Sequence, residues 1–281
     1  MAKYSLYPRR PTSIAPDPLA RLGAGALGGA SAARRFLFTL IAGVAAPFAP
    51  GKAAGVVCRR IAVRQIFFTG FQALPLVSVI AIFVGATLVL QIQLMTARLP
   101  AELVGQIVVA VVLRELAPVT TAIIVAGRSG TAIATELGNM RANSEILGLA
   151  SLAIDPMRFV VAPRLLGTVV SVLVLTVYFG AIAILSGYGF SVLLGGSSLT
   201  ALRSGVGDAL LPADLPLFLV KGLGLGTLVG WVCCHFGLEV GASLTEVPRK
   251  ASQAVMMCLL VCVVYNAIVT AGFYWLVGPI H

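Results

Sequence analysis

Charge is what this chain has least of. Only 11% of its 281 residues are Asp, Glu, Lys or Arg, against about 25% in an average soluble domain. So few charges cannot cover the surface of a water-soluble globule this long, which argues against a soluble enzyme. Acids are scarcer still, 10 against 20 basic residues. Histidine occurs twice, as His235 and His281, and no Ser–His–acid set is suggested. The five cysteines, Cys58, Cys233, Cys234, Cys258 and Cys262, are odd in number and four lie in apolar runs, so a disulfide scaffold is not expected. Cys233, Cys234 and His235 are adjacent and diverge by about 100° each on a helix, which scatters them as metal ligands. Cys258 and Cys262 share a face but lack a third ligand, so all four read as small buried apolar side chains and no metal or other cofactor is called for. No G-x-x-x-x-G-K-[ST] occurs, since Gly51-Lys52 lacks both the upstream glycine and the following Ser/Thr. Any ATP hydrolysis by that route therefore belongs to another subunit.

What the chain has in excess is apolar surface, 59% of its residues. Residues 65–97, 165–202 and 251–281 hold no charged side chain, while 103–127 is interrupted by Arg114 and Glu115, and 215–238 by Lys221. A helix crossing the hydrocarbon needs about 20 apolar residues. The expected architecture is thus an all-α integral membrane bundle with five transmembrane helices, near 72–95, 104–127, 163–193, 216–238 and 251–276. The third is long enough to tilt, to kink near Gly187 and Gly189, or to project beyond the lipid.

Orientation follows from the basic residues. Residues 1–64 carry ten Lys/Arg and one acid, Asp17, and the other 217 carry ten and nine, so the net +10 resides almost wholly in the N-terminal segment. That suits a cytoplasmic face against an anionic leaflet better than nucleic acid. Counts in the later connections alternate: Arg98 alone, then Arg128, Arg141, Arg158 and Arg164, then Arg203 with Asp208 and Asp214, then Arg249 and Lys250. The N-terminus is expected inside and the C-terminus outside. Residues 1–30, rich in Pro, Gly and Ala, read as a loose tail. Residues 31–70 read as a basic interfacial helical segment, and 71–281 as the transmembrane domain. Arg34-Arg35-Phe36 and the apolar run to Ala49 also resemble a twin-arginine export signal, but Lys52, Arg59, Arg60 and Arg64 follow at once.

The segment 128–164 holds most of the information. Ala126, Gly130, Ala134 and Gly138 recur every four residues as a smooth helical ridge suited to close contact. Leu137, Met140, Ile146 and Leu149 then oppose Arg141 and Glu145 as a short amphipathic piece, and Asp155-Pro156 stops it and caps the next helix. One reading is an ordinary loop with its charges in water. The other is a helix near 136–149 that couples to a cytoplasmic partner.

A charge in mid-bilayer costs at least about 2.5–3.5 kcal/mol, so it usually faces a cavity or a partner. At 1.5 Å rise per residue, Arg114 lies about 21 Å from Arg128, Lys221 about 27 Å from Glu239, and Asn266 about 24 Å from Lys250. Three spans thus bring polar groups to one depth. Pro118 lacks an N–H, so the Arg114 carbonyl loses its usual partner. Arg114, Glu115, Lys221 and Asn266 are candidates for a cavity in which cations meet an anionic headgroup. An internal ion pair that fastens helices, or Lys221 snorkelling to the interface, is the alternative. Gly222, Gly226 and Gly230 form a second smooth ridge, its partner unassigned.

Several motifs are carried in order. Arg114-Glu115-Leu116-Ala117-Pro118 resembles R-E-L-G-P. Ala126-Gly127-Arg128-Ser129-Gly130 through Glu136-Leu137-Gly138-Asn139-Met140 resembles A-G-R-x-G…A-E-L-G-x-M. Ile154-Asp155-Pro156-Met157-Arg158-Phe159 through Pro163-Arg164 resembles I-D-P-x-R-Y…P-R. Over roughly residues 50–276 the chain resembles the MlaE/YrbE-type permeases of ABC transporters, which move lipids with MCE-domain proteins. It departs where Ser144–Leu149 replaces E-Q-I-D-A-L, where Thr245–Ala251 replaces G-V-G-R-A-T-T, and where Asn266 replaces an Asp. The resemblance implies a homodimer in the bacterial inner membrane, a cytoplasmic ABC ATPase bound to the helix between spans two and three, and a periplasmic MCE-domain ring. Arg128, Glu136, Leu137, Gly138, Met140, Arg141, Glu145, Asp155, Arg158 and Arg164 are the expected ATPase-coupling residues. The cargo implied is phospholipid in Gram-negative bacteria, and sterol or fatty acid in related actinobacterial systems. The chain itself would be a non-catalytic permease. Two rivals use Glu115 differently, as the proton site of a secondary transporter or as the base of a lipid-modifying enzyme.

Overall fold

The structure, a computed structural model, describes residues 52–95, 101–193, 214–241 and 243–277. The expected tail at 1–30, the arginine pair at 34–35 and the connection carrying Arg203 and Asp208 lie outside the described residues. Every element among the described residues is helical. Five helical runs are long and apolar enough to cross a membrane: Arg59–Ile92, Gly105–Ala142, Met157–Leu193, Asp214–Leu238 and Leu244–Trp275. They fall on the five expected spans, and the protein is an all-α membrane bundle.

Helix α1 (Lys52–Thr69) passes through a single 3-10 turn, Phe71–Ala73, into α2 (Leu74–Met95), so the basic segment and the first span form one nearly continuous helical path. The second span is built from α3 (Ala101–Val108), α4 (Ala117–Val125) and α5 (Thr131–Ala142), joined by wider π-helical turns at Val109–Leu116 and Ala126–Gly130. The short α6 (Glu145–Ser151) follows. A π-turn at Met157–Val161 leads into α7 (Ala162–Leu193), the third span. Helix α8 (Asp214–Leu238) is the fourth span, and α9 (Val247–Val277) the fifth.

Two expectations change here. The region after Arg128 was expected to leave the bundle, yet the helix continues to Ala142. Its ridge explains why: a Cβ on Gly130 would meet Cys233 Sγ at 2.7 Å, and one on Gly138 would meet Val240 and Val247 at 3.0 and 3.1 Å. Contact with the fourth and fifth spans therefore holds these residues helical. Nor is 136–149 one helix. It is the end of α5 plus most of α6, separated at Ser144, whose φ of 61° no helix accommodates.

The third span is unbroken through Gly187 and Gly189, 32 residues or about 48 Å long. It organises the bundle. A side chain on Gly85 of α2 would collide with the Ala183 backbone, and one on Gly187 would stand 2.6 Å from the Gly85 carbonyl oxygen. On its other side, Cβ atoms on Gly222, Gly226 and Gly230 would meet Leu173 at 2.6 Å, Val169 at 2.7 Å and Leu165 at 3.0 Å. The ridge on the fourth span thus packs within the chain, against the third. The fourth span is the innermost, 61% of its most apolar stretch being buried, and the fifth the outermost at 17%.

Candidate functional site

The π-turn Val109–Leu116 sets the site. π-helical segments are rare and recur at functional positions. This one presents the adjacent Arg114 and Glu115 to different neighbours. Arg114, only 8% exposed, makes a two-pronged pair with Asp214 at the start of α8, Nε to Oδ1 at 2.8 Å and Nη2 to Oδ2 at 3.1 Å. Its guanidinium carbon lies 5.9 Å from the centre of the Phe273 ring.

Glu115 turns towards the fourth and fifth spans. Its Oε1 accepts from Lys221 Nζ at 3.0 Å and from Thr270 Oγ1 at 2.8 Å, and its Oε2 from Asn266 Nδ2 at 2.7 Å. Lys221 is 1% exposed. Its ammonium makes three bonds, to Glu115, to Thr270 Oγ1 at 2.7 Å and to the Arg114 carbonyl at 2.5 Å. That last bond supplies the partner Pro118 withholds. Arg114, Lys221 and Asn266, expected at one depth, are brought together with the fourth candidate, Glu115. The snorkelling alternative for Lys221 does not describe its position.

Sequence reasoning missed Asp214 and Thr270. Asp214 was grouped with a connecting loop. The available signal was its spacing, seven residues before Lys221, which puts both on one face of a helix. Thr270 lies four residues after Asn266 and shares its face in the same way. With Asp214 included, the cluster holds two cations and two carboxylates. A cleft of about 360 Å³ opens beside it, lined by Val109, Leu113, Val177, Leu217 and Phe218 together with Arg114, Asp214 and Lys221.

The ten residues expected at the coupling face divide into two groups. Arg128 donates to Gln72 Oε1 at 3.0 Å and lies over the Phe68 ring, tying α5's approach to the first span. Leu137 and Gly138 are buried against the fourth and fifth spans. Arg164 is buried and pairs with Glu136 at 2.8 Å, while donating to the Val160 carbonyl and to Met140 Sδ. The outward group is Glu136, Glu145 and Asp155, with Met140, Arg141 and Arg158 half-buried. Asp155 caps the following turn, accepting from the Met157 N–H at 3.0 Å. No residue of α6 is buried, and Leu147 and Leu152 stand 61% and 71% exposed. These two leucines were not among the expected coupling residues.

At the same end, Glu239 accepts from Lys250 at 3.0 Å and lies 3.4 Å from His235 Nε2. Those two neighbours, His235 foremost, pull its carboxyl down to about 2 against the opposing effect of burial. Cys233, Cys234, Cys258 and Cys262 are buried free thiols, as small apolar residues would be, with the sulfurs of Cys233 and Cys258 3.5 Å apart.

Residues 62–271 match the family described as permease MlaE. The chain belongs to the MlaE permease family. The intermembrane phospholipid transport system permease protein MlaE of Haemophilus influenzae is 30% identical over 214 residues, covering 74% of this chain and 81% of that protein. A probable ABC transporter permease protein of Rickettsia prowazekii is 30% identical over 213 residues, 75% of this chain and 82% of its own. The chloroplastic protein trigalactosyldiacylglycerol 1 of Arabidopsis thaliana is 26% identical over 216 residues, 76% of this chain and 62% of its own. The MlaE match contains the second, third and fourth membrane-spanning runs, most of the first and fifth, and both charge clusters, so the family pattern and the geometry concern the same residues.

Proposed function

We propose that this MlaE-family permease is the membrane subunit of an ABC transporter in a bacterial inner membrane, moving phospholipid or a related lipid. A separate ATPase docks on the cytoplasmic end, at α6 and the outward residues Glu136, Met140, Arg141, Glu145, Asp155 and Arg158. An MCE-domain protein receives or delivers lipid at the periplasmic end, and a second copy of the chain completes the path. The basic N-terminal segment is cytoplasmic. The chain is non-catalytic, and its own contribution is the lipid path and the lever that opens it.

One observation carries this reading. Helix α6 buries none of its residues, is flanked by two non-glycine residues with positive φ, Ser144 and Ala153, and exposes Leu147 with Leu152 just beyond it. A seven-residue helix is too short to persist on its own propensity, so a partner surface is the source of its stability. Behind it, Leu137 and Gly138 pack on the fourth and fifth spans, so a push on α6 reaches the spans that carry Lys221 and Asn266.

The test is co-purification of the permease with its ATPase. Leu147→Asp combined with Leu152→Asp should reduce ATPase capture at least tenfold while leaving the permease monodisperse. Undiminished capture overturns the proposal. Proton-coupled transport through Glu115 is less favoured, because three donors already hold its carboxylate oxygens. That rival requires cargo movement driven by a proton gradient without any ATPase.

A further inference from the structure

The polar contacts of the mid-bundle cluster bear on which lipid headgroup is carried, a question that rests on the proposal above. Its charged side chains are unequally covered. Lys221 is 1% exposed, Arg114 8% and Asp214 12%, but Glu115 is 34% exposed. Glu115 lies within the second span, where an open carboxylate belongs against a cavity or a polar partner and not against acyl chains. A carboxylate has about four acceptor positions. Oε1 of Glu115 fills two of them, with Lys221 and Thr270, and Oε2 fills one, with Asn266, so a position on Oε2 is open. The donors beside it are spent: Lys221 gives its three N–H groups to Arg114, Glu115 and Thr270, and Thr270 gives its hydroxyl to Glu115. A second acceptor is open next to the first. Because the Asn266 amide donates to Glu115 through Nδ2, its Oδ1 is the free end, and that atom is buried with no hydrogen-bond partner among the described residues. An orphaned buried acceptor is costly, and a donor that enters the cluster and reaches it relieves that cost.

We propose that Glu115 and Asn266 receive the primary ammonium of an aminophospholipid headgroup, which donates to Glu115 Oε2 and to Asn266 Oδ1. Both open positions accept, so a phosphate or carboxylate finds no donor in them. A primary ammonium brings three N–H donors and a positive charge, and its bonds to a carboxylate are charge-assisted. A quaternary ammonium of the choline type has the charge but no N–H, and leaves Asn266 Oδ1 unsatisfied. A hydroxyl donates without charge, and in a glycerol headgroup it arrives with the negative charge of the phosphate unbalanced. Lys221 is then a positioning residue: it holds Oε1 of Glu115 and leaves Oε2 to Asn266 and the ligand.

The experiment uses the full chain in nanodiscs of equal parts phosphatidylethanolamine, phosphatidylcholine and phosphatidylglycerol with identical acyl chains. The lipid retained after transfer to detergent is identified by native mass spectrometry. The wild-type chain should retain phosphatidylethanolamine over each of the other two by at least fivefold. Equal retention of phosphatidylcholine overturns the need for an N–H donor, and equal or greater retention of phosphatidylglycerol overturns the choice of a cationic group. Lys221→Met combined with Glu115→Gln removes the carboxylate without leaving a single charge, and should equalise phosphatidylethanolamine and phosphatidylcholine while the chain stays monodisperse. Asn266→Leu keeps every charge, leaves the ammonium with Glu115 alone, and should narrow the same ratio at least threefold. An unchanged preference in either variant overturns the site. Should the double variant fail to assemble, the wild-type ratios and Asn266→Leu still decide. Failure of the permease reading shows instead as undiminished ATPase capture by the Leu147 and Leu152 variant, so the two failures are distinguishable.

Discussion

The molecule has two sets of paired charges in contrasting surroundings. In mid-bundle, Arg114 pairs with Asp214 at 8% and 12% exposure, and Lys221, 1% exposed, with Glu115. At the end face, Arg164 pairs with a Glu136 that is 62% exposed, and Glu239 bridges His235 and Lys250. Each set uses the same chemistry of carboxylate against cation. They differ in what replaces the partner when it is removed. Water can reach Glu136, whereas the Lys221 site offers only helix backbone and other side chains. A cation sealed in the interior is therefore a constraint, because Lys221, unlike the 34% exposed Glu115, has nothing else to pair with there. A pair at the face is a local fastening.

The largest expected effect comes from breaking the interior set. Lys221→Ala strips the donor from the Arg114 carbonyl, Glu115 and Thr270 together. Losing one member of a buried pair costs about 3–5 kcal/mol, which thermal unfolding of the detergent-solubilised chain would register as a large drop in Tm. Lys221→Met with Glu115→Gln should recover most of the loss, since no charge is then left single. A small effect of the single substitution would mean that water already enters the cluster, and the comparison would fail.

The contrast also explains what the sequence made legible. The convergence of Arg114, Glu115, Lys221 and Asn266 was readable because helical rise is constant and a mid-bilayer charge needs a partner. The free carbonyl before Pro118 was readable because proline's missing N–H is a covalent fact. Asp214 was not, because a charge at a span's edge looks like any loop charge until the first helical residue is known. The ridge of Gly222, Gly226 and Gly230 announced a close contact, but small residues carry no mark of their partner. Only the packing shows that Val169, Leu173 and Leu165 of the third span fill it. The helical ridge from Ala126 to Gly138 was legible, but the polar residues beside it read as an exit from the membrane and concealed its place in the bundle. The buried ridge, packed on the fourth and fifth spans, outweighs them.

The end face should yield a smaller loss. Glu136→Gln removes one partner of Arg164, which keeps the Val160 carbonyl at 3.3 Å. The expected cost is about 0.5–1 kcal/mol, in line with exposed ion pairs. Repeating both measurements at 1 M salt, where the Debye length is about 3 Å, sharpens the contrast. The Glu136 effect should shrink towards zero while that of Lys221→Ala persists. A Glu136→Gln loss as large as that of Lys221→Ala would show the two environments to be alike.

The smallest effect is a pH dependence at Glu239, which lies between the fourth and fifth spans. Its carboxyl is held down to about 2 from an ordinary 4.5, by His235 first and Lys250 second. A group whose folded pKa is depressed stabilises the fold above its unfolded value, and that contribution is lost as pH falls towards the folded one. The pairing thus contributes in full above about pH 4.5 and fades between there and about pH 2. The measurement is the difference in Tm between the wild-type chain and Glu239→Gln from pH 7 to pH 3. The gap should be flat down to about pH 4.5 and narrow below it. Glu239 is a third exposed, so solvent screens part of the pairing, and what the titration reads is only the share of the gap lost by pH 3. A gap that widens on acidification would mean that the Glu239 carboxylate is not the group being stabilised, and that the end face is held by contacts other than its ion pairs.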